Sequence, residues 1–252
     1  MVIQYASDLH LEFSQNRNFL QANPLQTKAD ILVLAGDIVP FAVMDRYNDF
    51  FNFISDNFQT TYWVPGNHEY YHSDLEDKCR TLNEKVRENV HLVNNLSVVH
   101  GDIQFIFSTL WTRISQINRW QIENRVSDFQ VIRFNGSRFT AEQFNALHQE
   151  SLSFLKQELH HNNTGKTVVV THHVPSFLNY PEKYRGDVLN EAFAVELFDL
   201  IESEGPAYWI FGHHHTNVPD FEIGKTKLMT NQLGYVMYGE HENFKNLAVI
   251  EV

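Results

Sequence analysis

The 252-residue chain predicts an α/β fold with mixed sheets. Short apolar, β-rich runs end repeatedly in polar clusters, which is how buried strands feed loops. Amphipathic helical patterns separate these runs at first, and later the runs become neighbours. No internal repeat, low-complexity tract or linker interrupts the chain, so a single domain over residues 1–252 is expected.

In chain order, "VIQYA" (2–6) runs into "SDLH", "ILVLA" (31–35) into "GD" and "TYWV" (61–64) into "PGNHE". Further on, "TVVVT" (167–171) runs into "HH" and "AYWIF" (207–211) into "GHHH". Four helices are expected between or beyond them. Residues 41–58 place Met44, Tyr47, Phe51, Ile54 and Phe58 on one face. Ser73 and Glu76 form a capping-box pattern ahead of Leu75, Cys79, Leu82 and Val86. Thr140 and Gln143 repeat that pattern before Phe144, Leu147, Leu155 and Leu159, with Gly165 as a stop. Residues 187–203 carry Leu189, Phe193, Leu197 and Leu200 at helical spacing. "HGD" at 100–102 and "GK" at 224–225 suit hairpin turns.

Composition narrows the function classes. The formal net charge of −12 opposes a nonspecific polyanion binder, so nucleic acid is not the expected partner. It still permits a small phosphorylated substrate, because bound divalent metals reverse the sign locally. A single cysteine, Cys79, excludes an internal disulfide and fits a cytoplasmic setting. There is no apolar run of spanning length and no leader pattern at the N-terminus, so no membrane partner is expected.

Chemistry concentrates at the strand ends, where open α/β folds bind ligands. Five ends carry Asp8 and His10, Asp37, Asn67 and His68, His172 and His173, and His213 to His215. These oxygen and imidazole donors suit Zn, Mn or Fe. Side chains two residues apart point the same way in an extended chain, so Asp8 and His10 are expected to share one target, as are His213 and His215. His214 then points elsewhere. "THH" offers two candidates, His172 and His173, of which His172 directly follows the strand. Five of the ten arginines (Arg113, Arg119, Arg125, Arg133, Arg138) crowd one irregular segment and are candidates for binding an anionic substrate; the competing reading is a solvated face with local salt bridges. Tyr70 and Tyr71 either line the site mouth or pack. His72, His91, His100, His148, His160, His161 and His241 read as surface or helix-end residues.

The ordered blocks "DLH" (8–10), "GD" (36–37), "GNHE" (66–69), "TH" (171–172) and "GHHH" (212–215) resemble those of the calcineurin-like metallophosphoesterases. The resemblance implies a four-layer sandwich of two facing mixed β-sheets flanked by helices. It implies two divalent metal ions, drawn from Mn, Fe, Zn, Co or Ni. Asp8, His10 and His215 would hold one, Asn67, His172 and His213 the other, and Asp37 would bridge them. His68 would be the catalytic histidine facing the substrate. The implied activity is hydrolysis of a phosphate monoester or diester by a hydroxide held at the two-metal centre. A nuclease or cyclic-nucleotide phosphodiesterase on the same site, or a non-catalytic metal-binding scaffold, are the rival expectations. "TNQLGY" (230–235) resembles a family segment that closes the sheet near the metal loops.

Overall fold

The computed structural model describes residues 1–161 and 166–252. All five expected strand runs are strands, within a residue at their starts. The first sheet contains β1 (Val2–Ala6), β2 (Ile31–Ala35), β3 (Thr60–Val64), β4 (Leu82–Arg87), β5 (Val90–Asn94) and the C-terminal Val249–Glu251 strand. Its order runs from the C-terminal strand through β1, β2, β3 and β5 to β4. The four central strands are parallel and both edges are antiparallel.

The second sheet contains β6 (Leu96–His100), β7 (Ile103–Ser108), the Thr167–Thr171 strand, the Tyr208–Phe211 strand and the Phe221–Ile223 and Thr226–Thr230 hairpin. Between β7 and Thr167 a small ribbon pairs β8 (Arg133–Phe134) with β9 (Ser137–Arg138), so these strands become β10 (Thr167–Thr171), β11 (Tyr208–Phe211), β12 (Phe221–Ile223), β13 (Thr226–Thr230) and β14 (Val249–Glu251). The second sheet's order is β12-β13-β11-β10-β7-β6, parallel in its four central strands. Gly101 and Gly224, both at positive φ, turn the β6–β7 and β12–β13 hairpins as expected.

The sheets face one another across Tyr5, Val33 and Val64 on one side and Phe105, Phe107, Val168, Val170 and Ile210 on the other. Alternate residues point outward. Leu32, Leu34 and Trp63 meet Phe51 and Ile54 of α2 (Asn48–Asn57), which follows α1 (Ser14–Ala22) in the chain. Ile106, Val169 and Trp209 meet Leu155 and Leu159 of the long Ala141–His160 helix and Ile201 of the Phe198–Glu204 helix. Covering both faces of each sheet explains why the strands read as continuous apolar runs. The result is the expected four-layer sandwich.

Three helical expectations need correction. Residues 41–58 split into a tight turn, Phe41–Tyr47, and α2; the turn carries the Phe41 ring against Trp63 and Tyr70. The 75–86 pattern forms one short turn, Leu75–Asp77, followed by β4. Asp74, not Ser73, caps that turn by accepting from the Glu76 amide. Pairing of β4 with β5 overrides the helical spacing, a long-range term that local pattern does not contain. Residues 187–203 form a turn at Val188–Ala192, an extended stretch that bridges Ala194 to Val174, and only then the Phe198–Glu204 helix. The Thr140–Gln143 capping box is present and opens the Ala141–His160 helix; its expected stop at Gly165 lies outside the described residues. His148 on that helix is buried and bonds the Trp111 carbonyl, so it is a core residue and not a surface one. Among the described residues no helix is long and apolar enough to cross a membrane.

Candidate metal centre

The parallel strands bring their carboxyl ends to one edge of the sandwich, and the donors collect there. Asp8, His10, Asp37 and His215 present ligand atoms within 4.8 Å of one another, and so do Asp37, His172 and His213. Asp37 belongs to both groups. Its Oδ2 lies 3.8 Å from His10 Nε2 and 3.4 Å from His172 Nε2. The Asn67 side-chain oxygen sits 3.1 Å from His172 Nε2, which is itself 3.0 Å from His213 Nδ1. On the other side of Asp37, His10 Nε2 and His215 Nε2 approach to 3.0 Å.

The outward ring nitrogens explain this convergence. His172 Nδ1 donates to the Ala35 carbonyl, while His10 Nδ1 faces Glu12 and His215 Nδ1 faces Glu240. Anchoring the outer nitrogen fixes the ring and leaves Nε2 pointing inward, as in histidines that ligate metals. Asn67 is oriented the same way: its amide donates to Asp128, leaving its oxygen toward the cluster. Glu69 accepts from the backbone amides of Asp37, Ile38 and Gly66 and from the Trp63 indole, which ties the β2 and β3 loops together.

The local backbone differs from the expectation. Asp8, His10, Asp37, His213 and His215 all have positive φ, between 46° and 81°. They are half of the non-glycine residues with positive φ among those described. Asp8 and His10, and likewise His213 and His215, do converge, but through left-handed turns and not along an extended chain. Such conformations cost energy and persist where surrounding contacts impose them. Gly66 supplies close approach: a Cβ there would overlap Asp37 Oδ1 and lie 2.6 Å from His172 Nε2.

Charge follows the geometry. Burial opposes ionisation of Asp37, but the imidazoles of His172, His68 and His10 hold its carboxyl well below the ordinary range. Against the same burial penalty, Asp37 raises His172 to about 9, and Asp8 with Glu240 raises His215 to about 10. Protons thus sit where cations are favoured, and a divalent ion would displace them.

His68 donates its backbone amide to Asp37 Oδ1, at 2.9 Å. Its ring stacks on Tyr71, with Nδ1 3.4 Å from Glu12 and Nε2 3.3 Å from the Tyr235 hydroxyl. Tyr71 therefore lines the site, whereas Tyr70 is core. His173 is outside the donor groups and packs its ring 4.2 Å from that of His213. The His173 Nδ1 donates to the Thr109 carbonyl, and burial and His172 push the ring's pKa down to about 3. His214 is outside the donor groups; it lies in the cavity lining and its Nδ1 bonds the Gln232 side chain. The "TNQLGY" segment joins the sheets behind the centre, with Ser7 bridging Gln232.

A cavity of about 340 Å³ opens onto the cluster. Of the five arginines, only Arg125 lines it. Arg119 pairs with Glu123, and Arg138 donates to the Phe129 and Glu123 carbonyls. Arg113 and Arg133 are exposed outside the lining. Those four follow the solvated-face reading. Glu12, Asp128 and Glu240 escaped the sequence reading. Only Glu12 carried a signal, two residues beyond His10 in the same loop; Asp128 and Glu240 lie in irregular segments that only the fold brings near.

Fold and donor set together define a metal-binding α/β sandwich with its site at the strand ends. The chain belongs to the calcineurin-like phosphoesterase family, whose model matches residues 1–217. It is 32% identical over 278 residues to the uncharacterized protein L509 of Acanthamoeba polyphaga mimivirus, covering 100% of this chain and 96% of that one. Among solved structures, phosphopantetheinyl hydrolase from Mycobacterium tuberculosis shares the fold with a TM-score of 0.73 at 14% identity, covering 99% of this chain and 95% of that one. A dimetal phosphatase from Danio rerio gives 0.50 at 14% identity, covering 92% and 87%.

Proposed function

We propose that the chain hydrolyses a phosphate monoester or diester at a centre of two divalent metal ions. The observation that carries this reading is the sharing of Asp37 by two donor groups that face one cavity. Asp8, His10 and His215 would hold one ion, Asn67, His172 and His213 the other, with Asp37 between. The donors fit such ions: three of the four histidines have their outer nitrogen bonded to protein, and all inward atoms are nitrogen or oxygen. When bound, the ions polarise phosphoryl oxygens and lower the pKa of water.

The chain's own residues do the rest. His68, held by Glu12 and stacked on Tyr71, presents Nε2 to the cavity, where it can donate a proton to a leaving oxygen. Tyr235, which also lines the cavity, has its hydroxyl 3.3 Å from that same nitrogen. Arg125 offers the one guanidinium of the cavity wall to an anionic oxygen. The net charge of −12 favours a small substrate over nucleic acid.

The test is to strip the protein with chelator, reload it with Mn²⁺, and assay an aryl phosphodiester against the matching monoester. Asp37→Ala should lower turnover by roughly three orders of magnitude or more and reduce bound metal. Equal turnover in wild type and Asp37→Ala would sink the proposal.

A further inference from the structure

We propose that the substrate carries, beyond its scissile phosphoryl group, an extended uncharged aliphatic group that lies against an aromatic lip around the cavity. This rests on the phosphoesterase reading above. Tyr180 and Tyr235 both line the metal cavity, Tyr235 with its ring 4.5 Å from the donor His215 and Tyr180 with its ring 5.6 Å from His214, the residue between the donors His213 and His215. Each leads outward to an exposed ring: Phe177 lies 5.3 Å from Tyr180 and is 40% exposed, and Tyr238 lies 6.0 Å from Tyr235 and is 71% exposed. Leu178 and Met237 are exposed beside them.

A single exposed apolar side chain needs no explanation. Here four of the nine large exposed apolar residues, among those described, fall in two short segments that continue directly into the wall of the metal cavity. Grouping at a cavity mouth marks a binding surface. The lip is also held in place: Glu196 accepts from the Phe177 amide and the Ser176 hydroxyl, and Glu240 accepts from the Tyr235 amide.

Charge selects the occupant. Apart from the donors, the cavity wall offers Arg125 but also the carboxylates Asp128, Asp187 and Glu240. A polyanionic tail, such as a nucleic acid or polyphosphate, would meet these carboxylates and an acidic molecule. An uncharged chain can leave these charges solvated and lie against the rings of Phe177, Tyr180, Tyr235 and Tyr238, where its burial supplies affinity without a charge partner.

The experiment is calorimetric titration of the Mn²⁺-loaded full chain with octyl phosphonate, below its micelle concentration, and with ethyl phosphonate, whose C–P bonds are not hydrolysed. Octyl phosphonate should bind at least about tenfold more tightly, the effect of burying roughly two of its six extra methylenes. Phe177→Ala and Tyr238→Ala, made separately on exposed positions, should each cut that ratio by about threefold or more. A ratio near one, or a ratio unchanged in both variants, overturns the proposal. So does capture of the protein by phosphatidic acid vesicles without any preference for monomeric octyl phosphonate. Turnover of the aryl esters is read independently. Its absence with the octyl preference intact removes the catalytic reading and leaves the lip; turnover without the preference does the reverse.

Discussion

At the donor cluster, Asp8, His10, Asp37, His213 and His215 hold left-handed backbone, and their side chains are almost wholly buried. In the outer wall of the same cavity, around residues 177–187 and 235–240, aromatic and charged side chains stand half-exposed on irregular turns. The cluster spends conformational energy to bring seven donors together. Apart from Tyr235 and Glu240, which contact His68 and His215, the wall requires no such convergence, since its side chains act singly on whatever lies in the cavity. Substitutions should therefore cost orders of magnitude in the cluster and only small factors in the wall.

The sharpest way to break that contrast is Gly66→Ala. The added methyl would displace Asp37 or His172, and a shift of about 1 Å in a reacting centre costs roughly a hundredfold. Turnover should fall by that order and bound metal should drop with it. Wild-type metal content and rate would show that the cluster tolerates movement and is not rigidly built.

Glu12→Gln comes next. One carboxylate oxygen, Oε1, faces both His10 and His68, so the amide would weaken the hold on both rings. Turnover should fall about 10- to 100-fold, the usual effect of losing a residue behind a ligand. The loss should be greater for esters with poor leaving groups, because His68 would be misplaced. A uniform loss across leaving groups would assign Glu12 to His10 alone.

Arg125→Ala probes the wall. It should raise KM about three- to tenfold with kcat little changed, as expected for a half-solvated guanidinium contact. A large fall in kcat would move Arg125 into the same class as the cluster.

His148 belongs to neither region and serves as a baseline. Burial lowers its pKa below the ordinary 6.5. Below that value the unfolded chain binds a proton that the folded His148 refuses, so the folded state is fully favoured above it and loses this contribution as pH falls. Thermal midpoints should drop on acidification from neutral pH to about 5.5, and the drop should be smallest in His148→Asn. An identical drop in wild type and variant would place the acid sensitivity elsewhere, among the buried histidines of the centre.

Much of this molecule is written locally. The apolar runs specify β1, β2, β3, β10 and β11 because both of their faces are covered. The Thr140–Gln143 box specifies the start of the Ala141–His160 helix because a cap is made within four residues. The donors could be read as well, since each occupies a strand end in a short ordered block. What could not be read depends on contacts between distant residues. Leu82 and Val86 join a strand because β5 lies beside them, and residues 194–196 stay out of the helix because Val174 pairs with Ala194. Arg125 reaches the cavity while its four neighbours in sequence do not, and Asp128 and Glu240 reach the donors only through the folded chain. The sequence carries the kinds of donor and their order. Their distances, their orientation, and the rings and charges that face the substrate arise when the two sheets close on each other, because those quantities depend on residues up to two hundred positions apart.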